Sequence, residues 1–361
     1  MKILNLLSDG TDGYGVTTVA LGLSLYLESL GHEVQTIAPS NGQAINTVSS
    51  LTSFDISEIY FDSTIDLKAD ILVIHCLPRN TVSEEFTEGF KRLIDNCQRC
   101  VLYFHNHTRM SLTKTSKWFS LFDRADVIFS LSDEGVIREA VDTVTPGKLV
   151  YDFQPGVNMD MRFFYWRDIE KQTNHHRYVG RCNSWKGTTD VIDYFARKEY
   201  DLMTLDGITN GITSYYTLKN QKHLFTKQRV LGKPMIRGAY DRSTLFRELG
   251  YSTFGYQLSS LPEKQVQRAL ECTHLEIVMC GVIPIFKDYG VRHRVSGKLL
   301  SEHSFEESGT IWFNEPDIDD KIKMLEDPAL RDEYRNAAYE FYREHQHSEF
   351  VFAEQAYRIL G

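Results

Sequence analysis

The chain has 361 residues, of which 42% are hydrophobic and 12% aromatic, which is a globular composition and a length sufficient for two domains. Its 40 basic and 49 acidic residues give a formal net charge of −9, which argues against non-specific coating of nucleic acid but permits a local basic groove. No apolar run approaches the roughly 20 residues that span a bilayer, so we expect a cytosolic protein without membrane association.

The chain begins with the pattern of a strand, a glycine-rich turn and a helix. An apolar run from Lys2 to Leu7 predicts a buried strand, and a turn from Ser8 to Gly15 leads into a helix predicted over 16–30. Backbone amides at a helix N-terminus attract anions, which gives this turn the character of a phosphate loop. Its spacing matches neither the dinucleotide G-x-G-x-x-G nor a Walker loop, so the sequence disfavours a dehydrogenase.

Strand and helix patterns then alternate. Further strands are predicted at 34–37, 71–75, 101–104, 127–130 and 149–153. This alternation predicts an α/β fold whose parallel sheet is covered on both faces, with ligands beyond the carboxyl ends of the strands. His75, the run 105–107 and the run 130–132 fall at such ends.

A second strand–helix series begins at Arg177, after an irregular segment between about Pro155 and His176. Its strands are predicted at 177–181, 201–205, 252–257, 282–286 and 310–313, and helices at 317–326, 328–345 and 349–360. We therefore expect two domains, 1–165 and 166–346, with 347–361 a candidate for packing back onto the first.

The cysteine pattern does not favour a metal site. The six cysteines include one C-x-x-C pair, Cys97 and Cys100, and no second pair at the spacing of a zinc site. We expect reduced, mostly buried thiols and no bound metal.

The segment 270–286 predicts the end of a helix, a glycine stop and a short apolar strand. Arg268, Cys272 and Glu276 recur every four residues and share one helix face. A carboxylate just before a tight turn suits a ribose, because two adjacent hydroxyls can both donate to it. The pattern resembles the donor-nucleotide helix of two-domain GT-B glycosyltransferases. The alternative is an amphipathic helix on which Glu276 is simply solvated.

Two cations flank the loop 180–187. Arg181 ends a predicted strand and Lys186 stands at the start of the next helix. Two cations beside helix N-terminal amides can hold a diphosphate without a metal. A metal-independent nucleotide-sugar enzyme needs this arrangement, because charge develops on the leaving nucleoside diphosphate. The alternative is a chance pair of surface cations.

His105 and Asn106 follow a predicted strand of the first domain. A histidine there can carry or donate a proton near a sugar or an acceptor hydroxyl, the alternative being a structural histidine. Arg109, Lys114 and Lys117 lie next in the chain, close to aromatic residues. Basic and aromatic side chains together could contact phosphates and wedge a base, although such runs are more often solvated faces. Two more basic runs lie at 219–229 and 292–298.

In combination, these segments resemble the DNA α-glucosyltransferases of T-even bacteriophages nearly end to end, apart from a divergent middle. The most specific matches are Gly-Tyr-Gln-Leu-Ser at 255–259 and Thr-His-Leu-Glu at 273–276. Other matching segments are 13–17, 31–34, 125–130, 150–155, 180–187, 311–313 and 339–346. The resulting candidates are His105 and Asn106 for catalysis; Gly13, Tyr14, Gly15, Arg181, Lys186, Tyr256, Gln257, Arg268 and Glu276 for the donor; and Arg109, Lys114 and Lys117 for DNA.

The resemblance implies a GT-B fold, in which two Rossmann-like domains face each other across a cleft. The first domain would face DNA and the second would bind the UDP-sugar. It implies retaining transfer of a sugar, foremost glucose, from UDP to the hydroxymethyl group of 5-hydroxymethylcytosine in duplex DNA, with the base flipped out of the stack. The UDP-sugar is a substrate, so no cofactor is required. We expect a monomer in the host cytoplasm during phage infection, where the modified base protects phage DNA from host nucleases.

One residue departs from the family pattern. The family has a His-Asp pair, considered catalytic, where this chain has His105-Asn106. Asn106 cannot act as a base or nucleophile, but a front-face mechanism, in which the leaving diphosphate takes the acceptor proton, survives the change. Alternatively, the amide reflects a different donor sugar, UDP-arabinose. A UDP-sugar transferase acting on a non-DNA acceptor and an inactive DNA- or nucleotide-binding protein are further alternatives.

Overall fold

The computed structural model describes residues 1–7, 15–39, 51–54, 68–76, 91–105, 119–131, 136–156, 167, 169–171, 175–179, 187, 190–191, 194, 202–206, 236–237, 249–258, 272–287, 294–295, 298–346 and 348–361. The chain divides into two compact units. The first consists of Met1–Asn158 together with His347–Gly361, and the second of Met159–Gln346. The division falls a few residues before the boundary predicted at 165.

The first unit is built on a parallel sheet. Its strands are β1 (Lys2–Leu7), β2 (Glu33–Pro39), β3 (Leu51–Phe54), β4 (Ala69–Cys76), β5 (Cys97–Phe104), β6 (Val127–Ser130) and β7 (Val150–Asp152). They lie in the order β3-β2-β1-β4-β5-β6-β7, and every neighbouring pair is parallel. The central strands β1, β4 and β5 each contain a buried apolar run, as is typical of a parallel sheet covered on both faces.

Three helices of the first unit are α1 (Gly15–Ser29), α2 (Phe119–Phe122) and α3 (Val136–Val144). One face of the sheet, represented by Leu102 and Phe104, forms a core with Phe122 of α2 and Ile137 of α3. The ring of Phe104 meets that of Phe122 edge-on, with centroids 5.7 Å apart. Burial of these side chains is the main stabilising contribution of this face.

The second unit has its own parallel sheet. Its strands are β8 (His175–Val179), β9 (Leu202–Asp206), β10 (Ile236–Arg237), β11 (Phe254–Gln257), β12 (Ile283–Phe286) and β15 (Ile311–Trp312), in the order β10-β9-β8-β11-β12-β15. A separate antiparallel pair consists of β13 (Arg294–Val295) and β14 (Lys298–Leu299). Helices of this unit among the described residues include α4 (Cys272–Met279), α5 (Phe305–Ser308), α6 (Ile318–Met324) and α7 (Pro328–Gln346).

The final helix, α8 (Ser348–Leu360), belongs to the first unit although it follows the second in sequence. It packs against α1, where the rings of Tyr26 and Phe352 have centroids 6.4 Å apart. It also lies close to Gly156, since a Cβ atom there would be 3.0 Å from the side chain of Val351. Phe352 and Ile359 are fully buried by this packing.

The predicted α/β fold is confirmed, and the strands and helices predicted from apolar periodicity overlap observed elements. The sequence missed β3, β10, β13, β14 and α5, none of which exceeds four residues. Such short elements carry too few alternating positions to be recognised from periodicity. Within the described ranges, no helix is long and apolar enough to cross a membrane.

Candidate functional site

The carboxyl ends of β4 and β5 bring two histidines into contact. His75 lies in β4, His105 directly follows β5, and Nδ1 of His75 is 2.7 Å from Nε2 of His105. The register pairs His75 with Tyr103, so His105 lies just beyond, at the sheet edge where α/β folds bind ligands. Phe153 meets the His105 ring nearly perpendicularly, with centroids 5.2 Å apart. His105 is only 5% exposed.

Burial keeps both imidazoles neutral. It lowers the pKa of His105 to about 3, and it lowers the pKa of His75 well below its usual value, with a further contribution from the neighbouring His105 ring. A neutral imidazole carries one N–H donor and one acceptor nitrogen, so one ring of the pair donates and the other accepts. The pair is therefore suited to hydrogen bonding with a hydroxyl rather than to holding a positive charge.

A row of rings in register crosses one face of the first sheet. It contains His75 of β4, Tyr103 of β5, Phe129 of β6 and Tyr151 of β7. The Tyr103 ring stacks on His75 at a centroid distance of 5.0 Å and on Phe129 at 4.5 Å. His75 thus rests on a fully buried aromatic surface that restricts its rotation.

Helix α8 covers this row of rings. The hydroxyl of Tyr103 donates to Oε1 of Gln355 at 2.9 Å, and Nε2 of Gln355 donates to the carbonyl oxygen of Gln154 at 3.2 Å. One turn later, the Arg358 guanidinium lies 3.9 Å from the centroid of the Tyr151 ring. The returning helix therefore holds the rings of Tyr103 and Tyr151 in place.

In the second unit, α4 and β12 form the helix, glycine stop and strand that the sequence predicted. Cys272 and Glu276 both lie on α4 and are both buried, Glu276 with 5% of its surface exposed. The alternative of a simply solvated carboxylate is therefore wrong. A buried carboxylate requires hydrogen-bond donors.

Gly281 ends α4 in a left-handed conformation, with φ +63°. Its N–H donates to the carbonyl oxygen of Val278 at 2.8 Å, and the N–H of Val282 donates to that of Ile277 at 3.3 Å. A Cβ atom at Gly281 would lie 2.8 Å from the carbonyl oxygen of Arg167. Both the turn and the close approach require glycine here, and they set the direction of the chain immediately after Glu276.

A buried lysine that the sequence did not single out fixes the same turn. Nζ of Lys171 donates to the carbonyl oxygens of Gly250, at 2.6 Å, and Cys280, at 2.7 Å. Charge-assisted hydrogen bonds of this kind are stronger than neutral ones. Lys171 thereby ties the end of α4 to the segment preceding β11.

Strand β11 carries Tyr256 and Gln257 on opposite faces of the second sheet. Tyr256 lies in the hydrophobic core, and its hydroxyl is 2.9 Å from Nδ1 of His176. The side chain that was expected to contact the donor thus supports the sheet. Gln257 shares its face with Gly255, where an added Cβ would lie 2.6 Å from Ile277 of α4. Gln257 therefore lies on the α4 side of the sheet.

The end of the predicted diphosphate loop lies against the end of β11. Gly187 has φ +72°, and a Cβ atom there would lie only 2.2 Å from the carbonyl oxygen of Leu258. Only glycine permits this conformation and approach. Gly187 is the glycine that closes the Gly-Arg…Lys-Gly loop in the sequence.

Comparison with known proteins decides the family. The family model described as DNA alpha-glucosyltransferase matches residues 14–329. The DNA alpha-glucosyltransferase of Enterobacteria phage T4 is 32% identical over 98% of each chain. The chain belongs to the DNA α-glucosyltransferase family. It is therefore a glycosyltransferase.

Solved structures of α-glucosyltransferases are similar along the whole chain. One, in complex with UDP and a 13-mer DNA containing an HMU base, has a TM-score of 0.83, 30% identity and full coverage of both chains. Another, in complex with UDP-glucose and DNA containing an abasic site, has a TM-score of 0.81, 29% identity and full coverage of both chains. The catalytic domain of starch synthase IV from Arabidopsis thaliana shares the GT-B fold, with a TM-score of 0.63 and 10% identity over 100% of this chain and 99% of that one.

The described structure of this family member contains only some of the predicted site residues. His105, Tyr256, Gln257 and Glu276 are placed as above, and Gly15 is the first residue of α1. The others lie outside the described residues: Gly13, Tyr14, Asn106, Arg109, Lys114, Lys117, Arg181, Lys186 and Arg268.

The described residues contain no cluster of three or more His, Cys, Asp or Glu side chains that could hold a metal ion. Cys97, Cys100, Cys272 and Cys280 are free thiols. Burial raises the pKa of the Cys97 thiol, and that of Cys100 still further. Neither thiol is therefore a reactive thiolate. Cys97 and Cys100 are three residues apart on one strand, so their side chains lie on opposite faces of the sheet.

Sequence reasoning missed the contacts of Tyr103 and Gln355 with the site, and it identified His75 only as a residue at a strand end. For His75 the signal was a polar side chain within an apolar run. Gln355 gave none, because its partner lies 252 residues away in sequence.

Proposed function

We propose that this glycosyltransferase moves glucose from UDP-glucose to the hydroxymethyl group of 5-hydroxymethylcytosine in duplex DNA, with retention of configuration. The observation that carries the proposal is the relationship to the T4 DNA alpha-glucosyltransferase over 98% of both chains. The similar structures that contain UDP, UDP-glucose and DNA support it.

In the proposed reaction, the hydroxymethyl oxygen forms a bond to C1 of the sugar while the bond between C1 and UDP breaks. The electron pair of the broken bond leaves with UDP. The hydroxyl proton passes to the departing diphosphate on the same face of the sugar. The neutral state of His105 supports this route, because burial disfavours the imidazolium that a general base would become. His105 then orients the hydroxyl by a hydrogen bond.

The second unit binds the donor in this proposal. Glu276 accepts hydrogen bonds from the ribose hydroxyls, because it is a buried carboxylate immediately before a tight turn. Arg181 and Lys186 hold the diphosphate and stabilise its developing charge, so that no metal or cofactor is required. Gly13, Tyr14, Gln257 and Arg268 complete the donor site, whereas the buried Tyr256 acts by supporting β11.

The first unit takes the acceptor in this proposal. The target base leaves the DNA stack, which requires a few kcal/mol, and places its hydroxymethyl group near His105. Arg109, Lys114 and Lys117 follow His105 in the chain and contact the DNA phosphates, so binding weakens steeply as salt rises. The enzyme acts as a monomer in the host cytoplasm during phage infection.

A second donor, UDP-arabinose, is favoured by one residue. Asn106 stands where the family has aspartate, and an amide offers both a donor and an acceptor where a carboxylate only accepts. Such a change alters which sugar hydroxyls can be bound at the site.

A transfer assay tests the proposal and separates the two donors. Duplex DNA containing 5-hydroxymethylcytosine is incubated with UDP-glucose or UDP-arabinose, digested to nucleosides and analysed by mass spectrometry. We expect a hexose increment with UDP-glucose and none on a matched duplex containing cytosine. A pentose increment alone would assign the second donor, and no increment with either sugar would refute the proposal. NMR of the isolated glucosylated nucleoside reports the anomer.

A further inference from the structure

We propose that His75 is a positioning residue that fixes the tautomer and the orientation of His105. The inference deepens the proposed function, on which it rests, because it assigns the origin of the hydrogen-bonding state of the candidate catalytic histidine. His75 lies on β4, beside the strand that leads to His105. Its side chain is fully buried and therefore has no direct path to substrate.

His75 and His105 are in direct contact. Nδ1 of His75 and Nε2 of His105 are 2.7 Å apart, a hydrogen-bond distance at which only one of the two nitrogens carries a proton. Each neutral ring has a single N–H. The nitrogen that bears the proton on His75 therefore determines the nitrogen that bears it on His105.

Two arrangements are possible, and they differ in function. If Nδ1 of His75 donates, Nε2 of His105 is bare and Nδ1 of His105 carries the proton. If Nε2 of His105 donates, its Nδ1 is bare and accepts a hydrogen bond from a hydroxyl. The second arrangement orients the acceptor hydroxyl with its oxygen lone pairs available for the sugar. His75 selects between the two arrangements, because the proton on its Nδ1, or the lack of one, decides which nitrogen of His105 is protonated.

Packing holds the His75 ring in place. Its ring stacks on Tyr103 with centroids 5.0 Å apart and planes 20° apart. The Tyr103 ring is itself held by stacking on Phe129 and by the hydrogen bond from its hydroxyl to Gln355. Rotation of the His75 ring would break this packing, so the contact with His105 is preorganised before substrate binds.

His105 depends on its contact with His75 for its orientation. Its nearest described aromatic neighbours are the His75 ring, at a centroid distance of 4.9 Å, and the Phe153 edge, at 5.2 Å. Of these two, only His75 forms a hydrogen bond with the ring. Phe153 limits tilting but cannot distinguish one ring nitrogen from the other.

Two substitutions separate hydrogen bonding from volume. His75→Asn keeps an amide group close to the position of Nδ1, and the amide can present either a donor or an acceptor. His75→Leu keeps apolar volume and removes the hydrogen bond. We expect His75→Leu to lower kcat by about tenfold or more, with the dissociation constant of UDP unchanged, and His75→Asn to recover most of the activity.

NMR of the free enzyme supplies a readout that a merely structural role would not move. In protein labelled with 15N at histidine, the ring-nitrogen shifts distinguish protonated from bare nitrogens, and His105→Phe identifies the His105 signals. We expect one tautomer of His105 in the wild type and a mixture in His75→Leu. If His75→Leu fails to fold, two populated tautomers in the wild-type spectrum would still overturn the inference.

The outcomes are distinct. Wild-type kcat in His75→Leu, equal losses in both variants, or two populated tautomers in the wild type would each overturn the inference. Failure of the transfer assay with the wild type would refute the proposed function instead, while the tautomer measurement, which needs no substrate, would still report on His75.

Discussion

Tyr103 and Gln355 are 252 residues apart in sequence, and the tyrosine hydroxyl donates to the glutamine Oε1 at 2.9 Å. Both side chains are buried. The bond joins the centre of the first sheet to the helix that returns to it after the second unit.

Substituting Gln355 by leucine is expected to destabilise the first unit by about 1–3 kcal/mol, because the buried Tyr103 hydroxyl loses its acceptor. Urea unfolding followed by circular dichroism measures the change. Tyr357→Ala is the matched control, since Tyr357 lies on the same helix, is 77% exposed and should change stability by less than about 0.5 kcal/mol. Equal unfolding midpoints for the two variants would contradict the role assigned to the bond.

Glu276→Gln is expected to weaken UDP binding by about 2 kcal/mol, or roughly 30-fold, because hydrogen bonds to a charged acceptor become neutral ones. Isothermal titration calorimetry with UDP gives the dissociation constant directly. Glu354→Gln serves as the control, since this carboxylate is exposed and paired only with Arg358 of the same helix among the described residues. An unchanged affinity in Glu276→Gln would remove Glu276 from the donor site.

The two glycines that end α1 and α4 form a matched pair. Gly31 and Gly281 have φ +84° and +63°, and each N–H donates to the carbonyl oxygen three residues earlier. A Cβ at Gly31 would meet nothing within 4 Å, whereas at Gly281 it would meet the Arg167 backbone. Gly31→Ala should therefore cost about 1 kcal/mol from backbone strain alone, and Gly281→Ala distinctly more.

Thermal unfolding of both variants measures the difference, and UDP titration of Gly281→Ala shows whether the strain reaches Glu276. We expect weaker UDP binding in Gly281→Ala and unchanged binding in Gly31→Ala. Equal destabilisation by the two substitutions would show that the contact with Arg167 relaxes at no cost.

Acid is expected to destabilise the protein through its buried histidines. Burial lowers the pKa of His105 and of His176 to about 3, and that of His75 well below its usual value. Below the unfolded pKa of about 6.5 the unfolded chain binds protons that the folded chain does not. Protonation of these histidines therefore leaves the free energy of unfolding unchanged above that pH. As pH falls towards 3, it lowers the free energy of unfolding by about 1.4 kcal/mol per pH unit for each group.

Urea unfolding between pH 7.5 and pH 5 measures this slope, and His176→Phe isolates one contribution. Phenylalanine keeps the stacking on Phe254, where the wild-type rings have centroids 4.6 Å apart, and removes the titrating group. The variant should therefore lose stability less steeply on acidification. An identical slope in wild type and variant would mean that His176 binds its proton in the folded state.

The fold was predictable because its signals are local. The strands β4 and β5 each contain an apolar run, 71–74 and 100–104, and a sheet buried on both faces requires such runs. The glycine after Glu276 likewise marked the end of a helix by its position alone. By contrast, β3 and β10 have four and two residues, and their pairing depends on the neighbouring strand rather than on their own pattern.

The candidate site was predictable in its position but not in its contacts. Residues at the carboxyl ends of parallel strands share one edge, so His75 and His105 could be assigned to the same region. Their hydrogen bond depends on the register of β4 against β5, which periodicity does not specify. The burial of Tyr256 in the core was likewise missed, because a tyrosine in a strand suits either face.

The return of α8 to the first unit has a consequence for synthesis on the ribosome. Strands β1 to β7 emerge early, but Phe352, Gln355 and Ile359, which complete their packing, are made only after the whole second unit. Until they are made, one face of the first sheet, including the row of rings that contains Tyr103, is incompletely covered. Domains that fold in order of synthesis normally avoid such exposure. In this protein, the second unit must be translated before the first can reach its final packing.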